Sequence, residues 1–129
     1  MNALPSLLFV EDDPALRDLV GGVLQEMHFD VTLASDGQEA VAYLKTRAFD
    51  FIFSDIAMPH GMSGIDMAID AAALQPGARI ILTSGFAKAQ LPPLPAGVAF
   101  LPKPYRITQL TGLLKELGGG SDAGVAREV

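Results

Sequence analysis

The chain has no cysteine and no tryptophan. Without thiols there is no disulfide, no thiolate zinc site and no cysteine nucleophile, and a reducing cytoplasm is the expected location. Positive charge is scarce as well: 9 Lys+Arg face 15 Asp+Glu, a formal net charge of -6. Such a surface repels phosphate backbones, so nucleic acid is not an expected partner. No apolar run approaches the ~18 residues that span a bilayer, and no basic stretch precedes an apolar segment, so neither a membrane partner nor a leader is expected. What is present is apolar: 50% of the 129 residues are hydrophobic, enough for one domain with a core of its own.

Four short runs, Leu7–Val10, Phe51–Phe53, Ile80–Leu82 and Val98–Leu101, are apolar on both faces, as interior strands of a covered parallel sheet are. A fifth, Val31–Ala34, alternates and reads as an edge strand. Helical patterns separate them. The first has Asp13 as N-cap, Pro14 at the first helical position, and Leu16, Leu19, Val20, Val23, Leu24 and Met27 on one face, with Gly21 and Gly22 weakening it. His28 closes that helix, where a cation suits the dipole, and no catalytic partner for it is apparent.

The second helix starts at Asp36-Gly-Gln-Glu39 and runs to about Arg47. The third starts at Ser63 and places Ile65, Ala68, Ile69 and Ala72 on one face, ending near Pro76-Gly77. The last carries Ile107, Leu110, Leu113, Leu114 and Leu117 and ends at Gly118. Between the fourth and fifth strands, prolines 92, 93 and 95 leave room for only a turn or two of helix. Residues 118–129 are Gly-rich without apolar period and are expected to form a flexible tail, which leaves 1–117 as the domain. Strands alternating with helices give an α/β parallel sheet.

Ligands of open α/β sheets collect beyond the carboxyl ends of the strands. The residues there are Glu11-Asp12-Asp13, Asp55, Thr83-Ser84-Gly85 and Pro102-Lys103-Pro104. If the first and third strands are neighbours, Glu11, Asp12 and Asp55 converge. Two carboxylates about 4 Å apart repel by roughly 4 kcal/mol at an effective dielectric of about 20, and Lys103 supplies one positive charge. A hard divalent cation with oxygen ligands, Mg²⁺, would offset the rest. Carboxylate, metal and lysine together suit phosphoryl transfer, with Ser84 donating to a phosphoryl oxygen.

The segments Val10-Glu11-Asp12-Asp13-Pro14, Asp55-Ile-Ala-Met-Pro59, Leu82-Thr-Ser-Gly85 and Phe100-Leu-Pro-Lys-Pro104 resemble the receiver domain of two-component response regulators, over about residues 5 to 117. The resemblance implies a flavodoxin-like, five-stranded sheet of order 2-1-3-4-5 with a shortened fourth helix. It implies that Asp55 accepts a phosphoryl group from a histidine kinase or histidine phosphotransfer protein, and that an unnamed downstream protein reads the result. Mg²⁺ would be held by Asp12, Asp55 and the backbone carbonyl of Ala57, with Glu11 acting through water. Lys103 would pair with phosphoryl oxygens and form a cis bond to Pro104, Ser84 would be the switch hydroxyl, and Phe100 the switch aromatic.

The loop Met58–Gly64 looks one residue longer than the commonest receiver form and resembles receivers of hybrid histidine kinases. Phe100 stands where tyrosine is frequent, so switching there must act through packing. Three other functions compete. An aspartyl-nucleophile phosphatase would need an acid where Ala57 stands. A flavin site would need a neutral phosphate loop instead of Glu11-Asp12-Asp13. A phosphorylation-independent interaction module would leave the pocket idle. Met58, Met62 and Met67 are expected to pack rather than bind a soft metal, and His60 reads as a loop histidine.

Overall fold

The computed structural model describes residues 4–59 and 61–118. Five strands, β1 (Ser6–Val10), β2 (Asp30–Ala34), β3 (Phe51–Asp55), β4 (Arg79–Ser84) and β5 (Ala99–Pro102), alternate with helices α1 (Pro14–Glu26), α2 (Gly37–Leu44), α3 (Gly64–Leu74) and α4 (Ile107–Gly118). The sheet is parallel throughout, in the order β2-β1-β3-β4-β5. This is the doubly wound arrangement the resemblance implied, with β2 at one edge as expected and β5, whose apolar run read as an interior strand, at the other.

Alternation along each strand divides the core in two. Leu8, Val10, Ile52, Ile80 and Leu82 face α2 and α3, where Ala40, Leu44, Met67, Ala68 and Ala71 meet them. Leu7, Phe9, Phe51, Phe53 and Ile81 face α1 and α4, against Val20, Leu24, Leu110 and Leu114. Interior strands apolar on both sides are the reason their sequence runs look continuous.

The caps behave as read. Asp13 Oδ1 accepts from the amides of Ala15 and Leu16, at 3.0 and 3.3 Å. Asp36 Oδ1 accepts from Glu39 N at 2.8 Å, and Ser63 Oγ from Asp66 N at 3.1 Å. Gly21, expected only to weaken α1, has a packing reason: a Cβ there would lie 2.8 Å from Leu33 Cδ2, so glycine lets α1 settle on β2.

Two helix faces differ from expectation. In α1, Leu19 and Met27 are exposed (67% and 42%), because the sheet covers only the stripe through Val20, Gly21 and Leu24. In α3 the buried stripe is Gly64, Met67, Ala68 and Ala71, and Ile69 and Ala72 point to solvent. The helix packs on α2 through alanines, whose small side chains allow close approach but carry little hydrophobic signal. Met58 and Met67 are buried and Met62 packs on the same cluster, so these three methionines pack as expected.

Between β4 and β5 only Lys88–Gln90 forms a single 3-10 turn. The proline-containing strap that follows covers the sheet with Leu91, Leu94 and Val98, all partly buried against the α2–α3 side of the core. The Lys103–Pro104 bond is cis. Residues 119–129 of the expected tail, and His60, lie outside the described residues.

His28 has a role that its sequence position does not disclose. Its φ is 70°, in the left-handed region. Its amide donates to Gln25 O at 3.0 Å and that of Phe29 to Leu24 O at 3.2 Å. This is the pair of bonds that closes a helix with a glycine at the turning residue. A left-handed non-glycine costs about 1–2 kcal/mol, and glycine's extra freedom in the unfolded chain returns about 0.5–1 kcal/mol of that. His28→Gly should therefore stabilise the domain by about 0.5–1 kcal/mol, read as a higher urea midpoint at unchanged slope.

Candidate functional site

The site is assembled at the carboxyl edge of the sheet by hydrogen bonds that run one residue past each strand. Glu11 N donates to Ala34 O at 3.0 Å, Ile56 N to Thr83 O at 2.9 Å, and Lys103 N to Ser84 O at 2.9 Å. Val10 pairs with Ser54 and Asp55 with Thr83 in the registers of β1, β3 and β4. The backbone thus brings Glu11, Asp55 and Lys103 to one place from positions far apart in the chain.

Asp55 is buried, 7% exposed, and both carboxylate oxygens are held. Oδ2 accepts from Lys103 Nζ at 2.5 Å, the one ion pair among the described residues. Oδ1 accepts from Ala57 N at 3.1 Å. Ala57 is exposed, which leaves that turn open to solvent. The turn depends on Gly64 in the first position of α3, whose N–H donates to Ile56 O at 2.9 Å. A Cβ on Gly64 would run into Asp55 O and sit 2.8 Å from Ile56 Cα.

Glu11 is 4% exposed, and its Oε2 accepts from Asp13 N at 3.2 Å. Burial pushes its carboxyl up to about 7; the side chain of Asp12 and the charge of Asp55 add to the rise, while the Asp13 amide and Lys103 oppose it. The same negative charge reaches Tyr105, whose phenol is pushed up to about 12 by burial and then by Glu11 and Asp55. The Tyr105 ring stands edge-on to Phe53 at 5.7 Å.

Ser84 is fully buried, and its Oγ accepts from Phe86 N at 3.0 Å. Asp12 is half-buried beside Glu11. Phe100 lies opposite Leu82 and packs into the α2–α3 side of the core, so it is placed to respond through packing. The spacing of motifs had not pointed to Arg17 or Tyr105. Arg17 Nη1 donates to the carbonyl of Glu11 at 2.8 Å, and Tyr105 follows the cis bond. Adjacency to Lys103-Pro104 was the one available signal for Tyr105.

A divalent cation fits this donor set in chemistry. Every candidate ligand is oxygen, and Glu11, Asp12 and Asp55 share the neighbourhood with the single ammonium of Lys103. Among the described residues no three acidic or histidine side chains are gathered into a ready-made ligand cluster.

The response regulator receiver domain family matches residues 7–115. The chain belongs to that family. This receiver is 29% identical over 114 residues to the response regulator receiver protein CpdR of Brucella abortus (strain 2308), spanning 86% of this chain and 94% of CpdR. It is 34% identical to the sensor kinase CckA of the same strain, over 91% of this chain but only 13% of that kinase. The crystal structure of a receiver domain from the hybrid histidine kinase CckA superposes with a TM-score of 0.76 at 31% identity, covering 88% and 98% of the two chains. The response regulator TrrA of Thermotoga maritima, solved with Mg²⁺ and BeF, superposes at 0.78 with 28% identity, covering 88% and 99%. TrrA has also been solved in complex with the histidine kinase ThkA. The receiver is thus a module of two-component signalling, and among the described residues no helix is long and apolar enough to cross a membrane.

Two outcomes follow from the geometry. Gly64→Ala should destabilise the receiver by about 1–3 kcal/mol, since both obstructing groups are backbone; a urea melt measures it. The second concerns pH. Glu11 has a folded pKa above its unfolded value of 4.5, so the native state holds the extra proton. Its stabilising contribution is complete below pH 4.5 and is lost as pH rises through 7. Metal-free receiver should lose on the order of 1–3 kcal/mol across that window, and Glu11→Gln should flatten the loss. Melts in chelator at stepped pH compare the two.

Proposed function

We propose that Asp55 is the phosphoacceptor of this receiver, taking a phosphoryl group from the phosphohistidine of a histidine kinase or histidine phosphotransfer protein, and that a downstream protein binds the modified form. The observation that carries this is the holding of Asp55: buried at the end of β3, one oxygen on Lys103 and the other on the Ala57 amide. The complex of TrrA with a histidine kinase supports the choice of donor.

In the reaction an Asp55 carboxylate oxygen attacks phosphorus as the phosphorus–nitrogen bond breaks. The bonding pair leaves with the imidazole nitrogen, which takes its proton from solvent. Lys103, already on Oδ2, needs only a small shift to meet a phosphoryl oxygen, where its charge stabilises the equatorial oxygens. Ser84 Oγ accepts a bond at present, and its own proton is available to a phosphoryl oxygen.

Mg²⁺, held by Asp12, Asp55 and the Ala57 carbonyl with Glu11 behind an intervening water, would supply the remaining neutralisation of phosphoryl charge. Ala57 offers no acid two residues beyond Asp55, which favours a receiver that stores its phosphoryl group over a phosphatase that turns over. Phe100, lacking a hydroxyl, would join the response by repacking against the core.

Incubation with Mg²⁺ and acetyl phosphate should add one phosphoryl group, labile to hydroxylamine and mapped to Asp55 by mass spectrometry. Asp55→Asn should take up none, and Lys103→Met should slow uptake by about tenfold or more. An unmodified Asp55 under saturating donor overturns the reading.

A further inference from the structure

Arg17 lies on α1, half-buried, within six positions of Glu11, Asp12, Asp13 and Asp18. Among the described residues the one ion pair is Lys103 with Asp55, so this arginine pairs with none of those acids. Its guanidinium turns back over the β1–α1 turn and donates Nη1 to the backbone carbonyl of Glu11 at 2.8 Å. We infer that Arg17 is a positioning residue for the cation site, holding the Glu11–Asp12 peptide so that the Asp12 carboxylate leaves the backbone toward the pocket. This rests on the reading of Asp12 and Asp55 as cation ligands.

Glu11 has a partner at its amide, its carboxyl and its carbonyl, one from β2 and two from α1 and its N-cap. Its N–H goes to Ala34 of β2, its carboxyl accepts from the Asp13 amide, and its carbonyl accepts from Arg17. The Arg17 bond differs from the other two because it fixes the peptide plane leading into Asp12. A planar peptide carries the orientation of one residue into the next, so a carbonyl held at Glu11 sets the direction in which Asp12 begins. The helix holds Arg17 in turn: its amide donates to Asp13 O at 2.8 Å, and Asp13 caps the same helix. Turn and helix therefore brace each other, with the guanidinium as the brace.

Two effects of removing Arg17 oppose one another, and their opposition makes the inference testable. Arg17 is positive, so as a bystander it repels a cation, and its loss would tighten Mg²⁺ binding. As a brace its loss frees the Asp12 peptide, and binding must then order it, which weakens Mg²⁺ binding. Partners that orient ligands without touching the metal are worth about 10- to 100-fold in affinity. A single partly screened charge is worth much less. The brace should win, and the sign of the change tells the two apart.

The experiment is calorimetry of the full chain with MgCl₂, comparing wild type, Arg17→Met and Arg79→Ala. Methionine keeps the apolar stem and the helix propensity while removing donor and charge. Arg79 begins β4, at the opposite end of the sheet, and gives the effect of losing one positive charge alone. Arg17→Met should weaken Mg²⁺ binding by about tenfold or more, while Arg79→Ala leaves it unchanged or slightly tighter. Metal-free melting checks that each variant is folded at the working temperature, and Arg17→Gln replaces Arg17→Met if that variant is not. Binding by Arg17→Met as tight as wild type, or tighter, overturns the inference while leaving the acceptor site standing. Absence of Mg²⁺ binding by wild type overturns the acceptor-site reading beneath it.

Discussion

The rest of the structure is arranged around a concentration of negative charge with a single ammonium in its midst. A parallel sheet sends all its carboxyl ends to one edge, and here those ends carry Glu11, Asp12 and Asp55. Lys103 reaches Asp55 from the far side, off the end of β5. The pocket holds more negative than positive charge; burial first, and then its acidic neighbours Asp12 and Asp55, hold the Glu11 carboxyl up at about 7. A fold built for stability alone would not bury Glu11 beside two other acids; retaining such repulsion is the usual mark of a site that a ligand completes.

Much of this was legible before any coordinates. The apolar runs located all five strands, and for β1, β3 and β4 the reason is that interior strands of a doubly covered sheet need hydrophobic residues on both faces; β5 looked the same in sequence but lies at an edge. The runs stopped short where it mattered. β3 continues through Ser54 and Asp55, and β4 through Thr83 and Ser84, all buried polar residues at the functional edge. A hydrophobicity criterion ends where the chemistry begins; the motifs recovered Asp55, Thr83 and Ser84, and Ser54 went unread.

Helix faces were harder, since periodicity reports that a stripe exists and says nothing of how wide its cover is. Leu19 belongs to the stripe of α1 by spacing, yet the sheet beneath does not extend under it. In α3 the buried alanines are too small to outvote Ile69 in a sequence pattern. Arg17 left no trace at all, because a side chain bound to a carbonyl has no characteristic spacing. His28 was read as a charge at a helix end, and its left-handed backbone is a property of the turn that follows.

The strap between β4 and β5 sets how that side of the receiver can respond. A helix lying on a sheet can slide or roll by small steps, exchanging one set of contacts for a similar one. Leu91 and Leu94 pack half-buried against the core from a segment stiffened by Pro92, Pro93 and Pro95. Lifting either exposes a half-buried leucine, which costs less than the about 1.5–3 kcal/mol of a fully buried one. This flank therefore has less freedom to slide over the sheet than a helix in the same place would have.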